Sequence, residues 1–111
     1  MKIIDLIQSG KFKVVNEGEN TQREISQPYC CDLLSIAMGR MPISSAWVTV
    51  MANINTLAVA ALADASCIIL AEDSKLDEAA LGKAREQQIT VFATEMPIFD
   101  AALLIYQQLY A

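Results

Sequence analysis

Between Ala46 and Leu109, three short apolar runs alternate with three helix-like segments, and this alternation constrains the fold more than any other feature. "AWVTVM" leads into "NTLAVAALADA", "SCIILA" into "KLDEAALGKAREQQ", and "ITVFAT" into "PIFDAALLIYQQL". The runs are brief and rich in β-branched residues, as strands are, while the intervening segments have helical length and periodicity. A strand that is apolar on every residue is buried on both faces, which a parallel sheet sandwiched by helices provides. The expected fold is α/β, a single small domain of three-layer type over residues 1–111. Its sheet is mostly parallel and built from successive strand–helix units joined by right-handed crossovers.

The first 45 residues are less regular. "IIDLIQSG" predicts a short helix capped by Gly10, and the residues from Phe12 to Val15 predict a strand closed by a Gly/Asn turn. A brief extended piece is expected from Arg23 to Ile25. Asp32 is expected to open the helix "LLSIAMG", which Gly39 and Pro42 close. Downstream, Ser74 and Asp77 have the spacing of a capping box, and Pro97 suits the first turn of the last helix. That helix carries Ile98, Ala101, Ala102, Ile105 and Leu109 on one stripe, with Tyr106 and Tyr110 beside it. Trp47 is expected in a core or an interface.

Composition narrows the function classes. Hydrophobic residues make up 54% of the 111 and charged residues 19%, which excludes disorder and favours apolar surface left over for self-association or a partner. Thirteen acids stand against eight bases, a net charge of −5, and the bases form no run. A nucleic-acid interface needs clustered cations, so none is expected. The uncharged stretch from Met41 to Ala63 is long enough to span a bilayer, but its asparagines, threonines and serines would be costly in lipid, and no membrane span is expected. Three thiols without a metal-ligand or disulfide spacing suit a cytoplasmic setting.

Histidine is absent, which removes the commonest general base and zinc ligand. Cys30, Cys31 and the serines therefore lack an activating partner, and no catalytic residue, metal site or cofactor is assigned. Ligands of open parallel sheets bind beyond the carboxyl ends of the strands. The three loops there offer Asn53, Asn55, Thr56, Glu72, Asp73 and Thr94 as candidate ligand-binding residues, with Ser74 and Glu95 nearby. None of these loops contains glycine and only Lys75 is basic, so a backbone phosphate cradle is not expected. Asn53, Asn55, Thr56, Ser74 and Thr94 also suit helix capping and turns, and the acids suit helix N-termini.

The segments "REISQPYCCDLLSIAM" and "AWVTVMANINTLAVAAL" resemble the DRTGG domain family. The matching positions are Arg23, Ile25, Tyr29, Asp32, Leu33, Leu34 and Ser35, and the likeness continues through "CIILAE" and "KAREQQITVFATEMPIFDAA". Related domains look like the N-terminal region of HPr kinase/phosphorylase and a non-catalytic part of some phosphotransacetylases. They also occur between CBS domains of regulated pyrophosphatases. The resemblance implies a small α/β domain that is not an enzyme, that dimerises, and that mediates regulation through an unidentified protein partner, a signalling or redox protein among the candidates. The family's Asp-Arg falls at Asn53-Ile54 and its Thr-Gly-Gly at Ala71-Glu72-Asp73, so the arginine and glycines that could admit an anion are missing. Two readings remain open: a regulatory or protein-interaction module, or a small-ligand (nucleotide or metabolite) sensor.

Overall fold

Five helices and five strands make up the computed structural model, which describes residues 1–111. In chain order they are α1 (Ile3–Ser9), β1 (Lys13–Asn16), β2 (Gln27–Cys30), α2 (Leu34–Arg40), β3 (Ser45–Thr49), α3 (Ile54–Leu62), β4 (Cys67–Leu70), α4 (Glu78–Glu86), β5 (Thr90–Ala93) and α5 (Ile98–Leu109). The strands form one sheet in the order β1-β5-β4-β3-β2. β2 to β5 are parallel, and β1 runs antiparallel along β5. The mostly parallel α/β layout read from the alternation is the observed one.

The sheet is apolar on both faces because the strand residues divide between two cores. Trp47, Ile68, Leu70 and Val91 pack with Ala37, Leu57, Ala60, Ala80 and Ala84 of α2, α3 and α4. Ala46, Val48, Cys67, Ile69 and Phe92 point the other way, against Ile3 and Leu6 of α1 and Ala101 and Ile105 of α5. Successive residues of a strand face opposite sides, so a four-residue run such as Cys67–Leu70 has no solvent-facing position and no use for a polar residue. Alanines on α3 and α4 remove side-chain bulk where those two helices pack together. Trp47 is fully buried in β3, and its indole N–H donates to the Cys31 carbonyl at 3.0 Å.

Four local features differ from expectation. β2 follows the piece at Arg23–Ile25, where only Glu24 makes an isolated bridge, to Lys2. Pro28 argues against a strand from sequence, yet β2 lies at the sheet edge, where one missing donor is tolerated. Asp32 does not cap α2. Leu33 holds the cap position without a side-chain bond, while the Asp32 carboxylate accepts from the Thr49 hydroxyl and the Val50 N–H. Ser74 does not open α4 either: Asp77 is the cap and accepts from Ala80 N–H at 2.8 Å. Pro97 is the cap residue of α5 rather than part of its first turn. Gly10 ends α1 in the left-handed region, as its position after the apolar run implies.

Candidate functional site

α4 follows β4 onto one face of the sheet, and α5 follows β5 onto the other. The loops leaving these adjacent parallel strands therefore part, which in open α/β sheets leaves a crevice suited to a ligand. Here the two loops are tied together. Glu72 N–H donates to Met96 O at 2.9 Å, Asp73 N–H to Thr94 O at 2.9 Å, and Ser74 N–H to Ala71 O at 3.1 Å. Three consecutive amides that could have cradled an anion are already spent.

The tie requires an unusual backbone. Glu72 and Asp73 both have positive φ, 57° and 58°. This left-handed pair falls where the Thr-Gly-Gly of the resemblance ends in its two glycines, so side chains here occupy a conformation that glycine adopts without steric cost.

The candidate residues separate into two groups. Asn53 accepts from Asn55 N–H at 2.9 Å and Thr56 N–H at 3.2 Å, capping α3 and using the amides at that helix start. Thr56 is fully buried, and its hydroxyl has no hydrogen-bond partner. Asp73 and Thr94, by contrast, line an open cleft of about 340 Å³ at the carboxyl end of β5, without Asn53, Asn55 or Thr56. Glu72 is exposed on the loop above it. Glu72, Asp73 and Glu95 do not gather into a group able to hold a metal ion.

Two residues of the cleft could not be found by inspecting strand–helix loops. Lys13 opens the antiparallel strand β1 and Lys11 lies two residues before it, and both join Lys75 and Glu95 around the cleft. One basic residue in the loops thus becomes three in space. The signal was present as "KFK" ahead of β1, but only the β1–β5 pairing, with Lys13 opposite Ala93, brings it to the site.

Two of the thiols, Cys30 and Cys67, are poorly suited to nucleophilic chemistry. Burial pushes the Cys67 thiol up to about 12, and burial with the neighbouring Asp32 charge raises that of Cys30. Both shifts disfavour the thiolate, which is the reactive form. At the opposite end of the sheet, a cavity of about 260 Å³ lies beside Arg23, Ser66, Gln88 and Thr90. Its one cation is committed. Arg23 donates to Ser44 Oγ at 3.0 Å and Asp64 O at 2.7 Å, and pairs with Asp64 Oδ1 at 2.8 Å.

α5 is apolar on two sides. Ala101 and Ile105 enter the core, whereas Phe99 is 70% exposed, Leu103 39%, Tyr106 53% and Tyr110 60%. Phe99, Leu103 and Tyr106 form a groove of about 350 Å³ with Pro28 and Cys30 of β2. The Tyr106 and Tyr110 rings lie 4.6 Å apart, centroid to centroid.

The fold is similar to that of the CBS and DRTGG domains of the regulatory region of Clostridium perfringens pyrophosphatase, solved in complex with the activator diadenosine tetraphosphate. The TM-score is 0.76 at 14% identity, covering 96% of this chain and 46% of that one. The present chain thus spans less than half of that solved chain. No protein-family model matches, and no curated protein matches. The likeness is one of fold, and it agrees with a DRTGG-like α/β arrangement.

Proposed function

We propose that this chain is a non-catalytic regulatory or protein-interaction module, a single DRTGG-like domain that works as a homodimer. The observation that carries this reading is the second apolar face of α5. A helix that has already buried Ala101 and Ile105 gains nothing in water from exposing Phe99, Leu103, Tyr106 and Tyr110. Asp100 is the one charged residue between Ile98 and Tyr110, so a second copy meets few like charges along this helix. The regulatory region of a pyrophosphatase shares the fold, which supports a regulatory role, and the absence of histidine and the raised thiols argue against catalysis.

Light scattering after size exclusion tests this. At high micromolar concentration the expected mass is twice that of the monomer, and Leu103→Glu with Tyr106→Glu returns it to the monomer while the far-ultraviolet circular dichroism is kept. A strict wild-type monomer that also retains no partner on an affinity column would remove the reading.

The second reading, a sensor for a nucleotide or metabolite, is favoured by the cleft beside Asp73 and Thr94. A ligand at 100 times its dissociation constant raises stability by about 2.7 kcal/mol, which a thermal-shift screen detects. No helix of the chain is long and apolar enough to cross a membrane.

A further inference from the structure

The cleft at the carboxyl end of β5 is electrostatically unfinished. Lys11, Lys13 and Lys75 line it together with Asp73 and Glu95, and none of these five charged groups forms an ion pair within the chain. Elsewhere the chain does pair charges that come close, as Arg23 with Asp64 and Lys83 with Glu86. Three ammonium groups drawn from two separate segments meet at one concavity in a protein whose net charge is −5 and whose bases are otherwise dispersed. A smaller recess of about 150 Å³ adjoins it and shares Lys13, Asp73 and Lys75.

We propose that this cleft binds the phosphate group of a small phosphorylated molecule through Lys11, Lys13 and Lys75. The inference rests on the sensing reading of the cleft and is independent of self-association. The amides of Glu72, Asp73 and Ser74 cannot supply the site, because they are committed within the two loops. Recognition falls to side chains. Three ammonium groups on flexible stems act as point charges that suit a group bearing two or more negative charges and several acceptor oxygens. With Asp73 and Glu95 the cleft carries a net charge of +1, so selection of a phosphate over a carboxylate rests on the number of acceptor oxygens that three ammonium groups and the Thr94 hydroxyl can meet. The cleft volume of about 340 Å³ lies at the small end of ligand sites, enough for a phosphate and the unit attached to it. Thr94, whose hydroxyl accepts from Met96 N–H at 3.2 Å, retains its own hydroxyl proton for a phosphate oxygen. Asp73 and Glu95 lie at the same cleft and face whatever hydroxyl or amino groups the attached unit carries.

The test is titration of the full ¹⁵N-labelled chain with pyrophosphate, with malonate and adenosine run in parallel at low ionic strength. The expected result is saturable displacement by pyrophosphate of the amide resonances of Lys11, Lys13, residues 73–75 and Thr94. Lys13→Gln with Lys75→Gln should weaken binding by about tenfold or more, Lys83→Gln should not change it, and added salt should weaken binding to the wild type more than to the double variant, which keeps only Lys11. Malonate binding as tightly as pyrophosphate would overturn the assignment to phosphate. Adenosine displacing the cleft resonances when pyrophosphate does not would overturn the phosphate site while keeping the sensing reading. Silence with all three probes would remove both.

Discussion

The hydroxyl of Thr49 donates to Asp32 Oδ1 at 2.7 Å, and the same carboxylate oxygen accepts from Val50 N–H at 3.0 Å. One side chain from the β2–α2 loop thus ties off the end of β3, at the point where that strand leaves the sheet for α3. The aspartate looks like a helix cap in sequence because it stands one residue before the cap position of α2, but its partners lie 17 and 18 residues further along.

Asp32→Ala should therefore destabilise the fold by about 1–2 kcal/mol, as expected for removing an acceptor that leaves a hydroxyl and an amide without their partner. Asp32→Asn, which keeps an acceptor oxygen, should recover about half of the loss. Urea unfolding monitored by circular dichroism checks both. Equal losses in the two variants would show that the bonds to Thr49 and Val50 contribute nothing.

Thr56 offers the opposite case. Its hydroxyl is buried at the start of α3 without a partner, so the apolar isostere should be tolerated or better. Thr56→Val is expected to leave the unfolding free energy unchanged or to raise it by up to about 1 kcal/mol. A loss larger than that, measured by thermal unfolding, would reveal a polar role for this hydroxyl in the folded chain.

The left-handed pair should respond to glycine. At φ 57°, Glu72 holds a conformation unfavourable to a residue that bears a Cβ, and Glu72→Gly is expected to stabilise by about 0.5–1 kcal/mol. Asp73→Gly should gain less, since aspartate tolerates this region better. Neither change should increase affinity for pyrophosphate, because the amides of both residues remain bonded to Met96 O and Thr94 O. Tighter anion binding by Glu72→Gly in a calorimetric titration would show that the loop opens more readily than its hydrogen bonds imply.

Burial of Cys67 gives a pH dependence with a definite sign. The folded thiol is held up to about 12 against an ordinary value of 9.0, so the unfolded chain loses this proton first as pH rises. Stability is therefore unaffected by this group below about 9 and falls between 9.0 and about 12, by about 1.4 kcal/mol per pH unit from this site. Cys67→Ala removes that slope, whatever it does to the packing. Comparing urea-derived free energies at about pH 9 and about pH 11 in the two proteins isolates the contribution. Identical slopes would mean that the thiol ionises as readily folded as unfolded.

How much of this could be read in advance follows from the range of each interaction. β3, β4 and β5 announce themselves because a strand buried on both faces must be apolar at every position, and the helices between them carry their own periodicity. β2 does not, because it is an edge strand with a proline and a half-exposed pattern that resembles a loop. Asn53 is legible as a cap since its partners lie two and three residues away, whereas the capping-box spacing points to Ser74 and the cap of α4 is Asp77. Asp32, Lys11 and Lys13 are not legible, because what they do depends on which strands lie side by side. The closed crevice was equally hidden: the absence of glycine discourages a phosphate cradle, but the bonds from Glu72 and Asp73 to the β5–α5 loop are tertiary facts.

The two terminal helices share one face of the sheet, while α2, α3 and α4, all from the middle of the chain, cover the other. α1 is anchored to the Thr21–Ile25 segment by Ile3 N–H to Arg23 O and Ile4 N–H to Thr21 O, and α5 packs on β2 and β3, far across the sheet from the strand it follows. During synthesis, then, the middle of the chain can collapse on one side as it emerges, but the other side, where Val48, Ile69 and Phe92 lie, has only α1 and the segments around Phe12 and Ile25 to cover it until residues 98–109 have been made. The helix that completes this core is the one whose outer stripe remains apolar, so the docking of α5 both covers the sheet and creates the surface offered to a second molecule.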